Sequence, residues 1–202
     1  MSQQRKSYCK FVATATAAAL VASSMAPVVS QAASFKDVPD RCKEAVDFVV
    51  SKGVQGFNET TYGTNEFIKR VDAAVMLAKV LEMDVESAPA SGFKDVPQRA
   101  VKYVNALKEA GITNGKTETN FGSNDLITRG ELAIWIQRAF DLPSSVSMDF
   151  KDVAPRYKSA VSALLKAEIT NGVSATEFGT TQNAKRGDFA IFLYRAANVT
   201  PQ

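Results

Sequence analysis

The chain of 202 residues contains no histidine. That absence removes the commonest metal ligand and the usual proton shuttle near neutral pH. Cysteine is almost as scarce: only Cys9 and Cys42 occur. Cys9 lies in a segment read below as a removable leader, so no intramolecular disulfide is expected in the mature chain. No segment supplies the alternating oxygen ligands of an EF-hand, and no metal or cofactor is expected. Beyond Ala33 no apolar run resembles a membrane span. A protein with so few covalent or metal staples must rely on packing, and about 170 residues suffice for one good core.

A strong excess of charge is also missing. The formal net charge is +3, and the leader accounts for all of it. Arg5, Lys6 and Lys10 form a basic start, Phe11 to about Ala22 is apolar and Ala-rich, and small residues surround Ser30–Ala33. This is the pattern of a secretory signal covering residues 1–33. It holds three cations and no acid, which leaves 21 basic against 21 acidic side chains. A formally neutral mature chain offers no electrostatic case for a nucleic-acid partner. Secretion without membrane insertion is expected.

What the chain does have is repetition. Phe-Lys-Asp-Val occurs at Phe35–Val38, Phe93–Val96 and Phe150–Val153, at a nearly constant interval. Each copy continues into an Arg-led apolar helix, a Gly loop, an aromatic-Gly pair, and Arg-x-Asp/Glu opening a second apolar helix. A period of this length marks units that cannot bury their apolar faces alone. The expected division is residues 1–33, 34–90, 91–147 and 148–202. Asp84–Gly92 and Asp141–Asp149, rich in Ser, Pro and Ala, read as linkers.

Helix one is expected over residues 40–52, 98–110 and 155–167. Cys42, Val46 and Val49, then Ala100, Val104 and Leu107, then Tyr157, Val161 and Leu164 fall at helical spacing on one face. Pro39, Pro97 and Pro155 suit the start, where a missing N–H costs little. Gly53 and Gly111 suit C-terminal caps, with Glu168 in their place in the third copy. Helix two, over Val71–Leu81, Leu132–Phe140 and Phe189–Ala197, is apolar on nearly every side. A helix without a polar face is buried against several neighbours. The expected fold is therefore mainly all-α, with three helix-two segments in a central bundle and helix one of each copy flanking it.

The start of helix two carries the chemistry. Thr128 and Glu131 have the spacing of a capping box, and Asp72 and Asp188 hold the acid position in the other copies, beside Lys69 and Lys185. These acids read as helix caps. Arg70, Arg129 and Arg186 oppose the helix dipole by roughly 0.3–1 kcal/mol, so stability alone does not account for them. Two readings stand: a structural pair with Asp37, Asp95, Asp152 or another acid, or a site for a carboxylate or phosphate at a helix start. Gly56, Gly115 and Gly172 precede these arginines by one fixed interval, and each follows Gln55, Asn114 or Asn171. They suit a tight turn or a close approach of ligand to backbone. Tyr62-Gly63, Phe121-Gly122 and Phe178-Gly179 suit core packing or a sugar-stacking face.

Taken together, Phe-x-Asp-Val, Gly-Ile-Thr-Asn-Gly and Ile-Thr-Arg-Gly-Glu resemble the motifs of S-layer homology domains, three in number, over residues 34–200. The chain is similar to the N-terminal, wall-anchoring part of S-layer proteins of Bacillus or Lysinibacillus type. The resemblance implies a pseudo-threefold spindle whose inter-repeat grooves bind secondary cell-wall polymer, typically through pyruvylated N-acetylmannosamine. It implies ligand-binding roles for Arg70, Arg129, Arg186, Gln55, Asn114, Asn171, Gly56, Gly115 and Gly172, with Asp37, Asp95, Asp152, Lys69 and Lys185 beside them. It implies no enzyme; the alternative is the wall-anchoring part of a secreted glycosidase or other exoenzyme. Other S-layer subunits are expected to engage through a region beyond residue 202. Three departures are visible: Arg41-Cys42, Arg99-Ala100 and Arg156-Tyr157 replace the family's His-Trp, Val71 stands where the other copies have Gly, and the first loop is one residue shorter before Gly56.

Overall fold

The computed structural model describes residues 35–143 and 148–199. Residues 1–33, expected to be a leader, and residues 144–147 of the second expected linker lie outside them. Six α-helices follow one another: α1 (Asp40–Ser51), α2 (Arg70–Val80), α3 (Val101–Glu109), α4 (Arg129–Ala139), α5 (Pro155–Lys166) and α6 (Arg186–Ala197). A 3-10 turn at Gln98–Ala100 leads into α3, where Pro97 precedes it. No β-strand longer than an isolated bridge occurs among the described residues.

The apolar stripe of helix one is inward in each copy. Cys42, Val46, Val49, Ala100, Val104, Leu107, Val161 and Leu164 are all buried. Helix two is buried on more sides: in α2, Val71, Ala73, Ala74, Met76, Leu77, Ala78 and Val80 are all inside. Small Ala residues at 73, 74, 133 and 190 are completely covered, which lets these central helices approach closely.

Helix pairing crosses copy boundaries. Helix α3 packs on α2, α5 on α4, and α1 on α6, while α6 also touches α2 and α4. Each helix one therefore lies against helix two of the preceding copy, and α1 closes the cycle against the last. Sequential units are interlocked rather than stacked, so one core serves all three.

Backbone hydrogen bonds close the same cycle ahead of helix two. Ile68 N–H donates to the Ala184 carbonyl, Ala184 to Ile127, and Ile127 back to Ile68, at 3.0, 2.9 and 3.1 Å. Two residues along, the amides of Arg70, Arg129 and Arg186 donate to the carbonyls of Asp125, Gln182 and Glu66, each at 2.9 Å. A further step on, Val71, Gly130 and Gly187 donate to Ser123, Thr180 and Thr64. The first amides of a helix have no partner inside it; here the neighbouring copy supplies the acceptors. Side-chain size follows this contact. A Cβ on Gly187 would meet Thr64 Cγ2 at 2.5 Å, whereas Val71 faces the smaller Ser123.

Helix-one ends differ in one instructive place. Gly53 and Gly111 adopt φ +82° and +72°, the left-handed conformation that glycine enters without strain. Glu168 takes φ 55° at the equivalent point, which costs a residue with a Cβ roughly 1–2 kcal/mol. Glu168→Gly is therefore expected to stabilise the fold by roughly 0.5–1 kcal/mol after the added chain entropy of glycine is subtracted. An unchanged or lower urea midpoint would contradict this.

Candidate functional site

The three arginines at the start of helix two are buried, with Arg70 3 %, Arg129 7 % and Arg186 7 % exposed. Each reaches into the following copy. The Nε of Arg70 donates to the Phe121 carbonyl and that of Arg129 to the Phe178 carbonyl, both at 3.0 Å. Two rings lie against each: Phe121 and Trp135 are 5.1 Å from the Arg70 guanidinium carbon, and Phe178 and Phe192 are 5.0 and 5.2 Å from that of Arg129. Cation–π contacts of this kind contribute about 1–2 kcal/mol where water is excluded. Arg186 differs, lying between Tyr62 and Phe57 at 4.8 and 5.5 Å. The aromatic-Gly pairs are thus core rings whose carbonyls also orient arginines, and Tyr62, Phe121 and Phe178 are fully buried.

Burial is the largest influence on Arg70 and Arg129 and lowers both pKa values. Nearby acids oppose it: Glu131, Asp125 and Asp95 around Arg70, and Asp188 and Asp152 around Arg129. A guanidinium starts so far above neutrality that it stays cationic. Burial also pushes the Tyr62 phenol up to about 12, against the opposing charge of Arg186.

The recurring aspartates of Phe-Lys-Asp-Val are placed as clamps, not as partners in direct contact with the arginines. Asp95 accepts the amides of Phe121, Gly122 and Ser123 at 2.6–2.8 Å. Asp37 does the same for Tyr62, Gly63 and Thr64, and Asp152 for Phe178, Gly179 and Thr180. Burial raises each carboxyl pKa, but the three backbone donors together outweigh it, and the net value lies below 3.8. Each clamp fixes the backbone whose aromatic residue faces an arginine.

The acid of helix two also finds partners. Thr128 and Glu131 form the expected capping box, with both reciprocal bonds present. Glu131 additionally pairs with Arg70 at 3.0 Å. Asp72 pairs with Arg99 at 2.8 Å and Asp188 with Arg41 at 3.3 Å. Arg99 and Arg41 therefore each bind an acid of the preceding copy in the cycle.

One groove gathers several of the expected residues. Its cavity of about 220 Å³ is lined by Arg70 from the first copy, by Asn114, Gly115, Glu131 and Trp135 from the second, and by Arg156 from the third. Arg138 also lines it and donates to the Ile112 carbonyl at 3.1 Å. Three cations against one acid make this groove electropositive. The loop Gly and the Arg that recur at a fixed interval within one copy are not the pair that meets; Gly115 meets Arg70, from the copy before. Likewise Arg186 Nη2 donates to the carbonyl of Gln55 at 2.6 Å. Lys69 and Lys185 are not drawn in; they reach Asn124 and Asn65 at 3.4 and 3.5 Å on the exposed side. The loop glycines have a packing reason, since a Cβ on Gly56 or Gly172 would meet the ring of Phe35 or Phe150 at 2.6 Å.

The expectation of free helix amides is corrected. The first two amides of α2, α4 and α6 already donate to carbonyls of a neighbouring copy, so an anion here would meet guanidinium groups and not a bare helix end. Trp135, Arg138 and the Arg156-Tyr157 pair escaped the sequence reading as site residues. Arg138 was detectable, because Lys79, Arg138 and Arg195 occupy one position of the three copies and each donates to a carbonyl at the end of helix one, those of Gly53, Ile112 and Ile169.

Among the described residues no group of three metal-ligating side chains occurs, and no helix is long and apolar enough to cross a membrane. Interlocked helical repeats with buried arginines at their seams define a repeat-built module with a cationic groove between copies. Residues 92–133 and 149–190, the second and third copies, match the S-layer homology domain. The chain is 33 % identical over 196 residues to the S-layer protein EA1 of Bacillus anthracis, covering 93 % of this chain and 23 % of that one. It is 35 % identical over 179 residues to the surface-layer 125 kDa protein of Lysinibacillus sphaericus, covering 86 % of this chain and 15 % of that one. An amylopullulanase of Thermoanaerobacterium thermosulfurigenes is 26 % identical over 175 residues, which cover 80 % of this chain and 9 % of the enzyme. The chain thus spans less than a quarter of the length of these relatives.

Proposed function

We propose that this chain anchors a secreted surface protein to the Gram-positive cell wall by holding an acidic secondary wall polymer in the grooves between its copies. The observation that carries the reading is the groove where Arg70, Arg138 and Arg156 face a single acid, Glu131. A pyruvate ketal on N-acetylmannosamine bears a carboxylate that a guanidinium meets bidentately. Charge-assisted bonds of this kind contribute roughly 1.5–3 kcal/mol each. Asn114 and the Gly115 backbone lie beside it for sugar hydroxyls, and Trp135 offers an apolar wall. More than one groove on one polymer raises retention through effective concentration. The cyclic contacts support a threefold spindle of three S-layer homology domains, the first departing most from the pattern.

Other surface-layer subunits are the further partners that this reading implies. A second reading, the wall-anchoring part of an exoenzyme, is favoured by the likeness to the amylopullulanase. It keeps the same groove chemistry and changes only the cargo. We assign no catalytic role to the recurring acids in either case: Asp72, Glu131 and Asp188 are held in ion pairs and Asp37, Asp95 and Asp152 in backbone clamps, which leaves none of these six poised as the acid–nucleophile pair of a glycosidase.

Cosedimentation with purified wall sacculi tests the reading. Retention is expected on native sacculi and its loss after the polymer is extracted. Equal retention on the extracted peptidoglycan would overturn it.

A further inference from the structure

The three seams are chemically unequal, and the difference is concentrated in the one that joins the third copy to the first. At the other two seams, the arginine Nε donates to the carbonyl of the aromatic residue opposite. At the third, Arg186 Nε is buried without a hydrogen-bond partner. Its guanidinium is turned so that Nη2 binds the Gln55 carbonyl instead. A buried N–H left unpaired is costly, so this orientation must be imposed by its surroundings.

The first loop imposes it. Its run Val54-Gln55-Gly56 lacks the Thr found in Ile112-Thr113-Asn114-Gly115 and in Ile169-Thr170-Asn171-Gly172. Thr113 and Thr170 each accept the amide of the loop glycine through Oγ1, at 3.2 and 3.1 Å. Without that residue the first loop is shorter, and the Gln55 carbonyl lies on the arginine. The next side chain completes the closure. Phe57 stands where the other copies have Lys116 and Val173, and its ring covers Arg186 although it remains 61 % exposed to water. Trp135 and Phe192 give that second ring at the other seams, and α2 has Met76 at their position, so the face would otherwise be open.

We infer that the seam between the third and first copies is closed by the chain itself, the Gln55 carbonyl and Phe57 ring standing where an anionic ligand would meet Arg186, and that polymer binding is carried by the other grooves, with Arg70 foremost. The inference rests on the wall-polymer reading and adds to it a ranking of sites and two residues that set it. A ligand carboxylate at Arg186 would have to displace both groups, whereas the groove beside Arg70 is open to about 220 Å³ and adds Arg138 and Arg156 to an arginine whose own partner there is Glu131.

Retention on native sacculi and calorimetric titration with solubilised wall polymer test the ranking on the whole mature chain. Arg70→Gln is expected to weaken binding about tenfold or more, and Arg186→Gln by less than about threefold. Asn114→Asp and Gln55→Glu place a repelling charge on two exposed side chains without touching the buried arginines, and the same ranking is expected from them. They carry the test if Arg70→Gln proves unfolded by its thermal transition. A rebuilt first loop, with Thr inserted between Val54 and Gln55 and with Phe57→Lys, is expected to raise the number of ligand equivalents bound. Arg186→Gln or Gln55→Glu costing as much as its Arg70-groove counterpart, or a rebuilt loop with unchanged stoichiometry, would overturn the inference while the wall-polymer reading stood. No retention of the native chain on native sacculi would bring down both.

Discussion

Expressed alone, residues 91–147 are expected to give no cooperative thermal transition. The segment contains α3 and α4, but the partners of these helices are α2 and α5, from the flanking copies. Val104 and Leu107 on α3 and Leu132 and Ile136 on α4 are almost completely buried in the intact chain. Each such side chain loses roughly 1.5–3 kcal/mol when it is left in water. The amides of Arg129 and Gly130 would also lose the carbonyls of Gln182 and Thr180. A domain's net stability is only about 5–15 kcal/mol, so these losses together exceed what one unit can supply. Circular dichroism on the isolated segment should show a broad, non-cooperative signal. A sharp melting transition would mean that the copies are separable domains and that the interlocked description fails.

Asp95→Ala is expected to be the most damaging single substitution at an incompletely buried position, with a loss of about 2–4 kcal/mol from three backbone bonds to one charged acceptor. The effect should extend past stability. Phe121, whose amide Asp95 holds, gives its carbonyl to Arg70, so the substitution loosens the arginine as well. Acid has the same target. The folded pKa values of Asp37, Asp95 and Asp152 lie below 3.8, so the unfolded chain takes up these protons first as pH falls. Their contribution is complete above the unfolded value and is lost as pH drops through the depressed folded values. Melting temperature should therefore hold near neutrality and fall below about pH 4, less steeply in Asp95→Ala. Identical acid profiles for the two proteins would remove the clamp from the account.

Much of the fold was legible because three copies could be compared within one chain. The helix-one stripes came from spacing alone, and α1 and α5 follow the expected ranges closely. The apolar spans given for helix two begin late in the second and third copies, although the motif at their head already placed Arg129 and Arg186 in the first turn, where the structure has them. The capping box at Thr128 and Glu131 marks the true start at Arg129. Which copies meet was not legible, because spacing within a unit carries no information about contacts between units. For that reason the fixed interval from Gly115 to Arg129 could not show that Gly115 meets Arg70. The occupied amides of α2, α4 and α6 were hidden for the same reason, since their acceptors are backbone atoms of another copy. Arg138 and the Phe57 replacement were present in the aligned repeats; only their consequences needed the structure.

The central claim is recognition of a negatively charged glycan by guanidinium groups at the seams. Calorimetric titration of the mature chain with native polymer, and with the same polymer stripped of its pyruvyl groups, addresses it directly. A guanidinium left without its charged partner forfeits one or two charge-assisted bonds, so the stripped polymer should bind about ten- to a hundredfold more weakly. High salt should narrow that difference, and no new reducing ends should appear. Equal affinity for the two polymers would contradict the account.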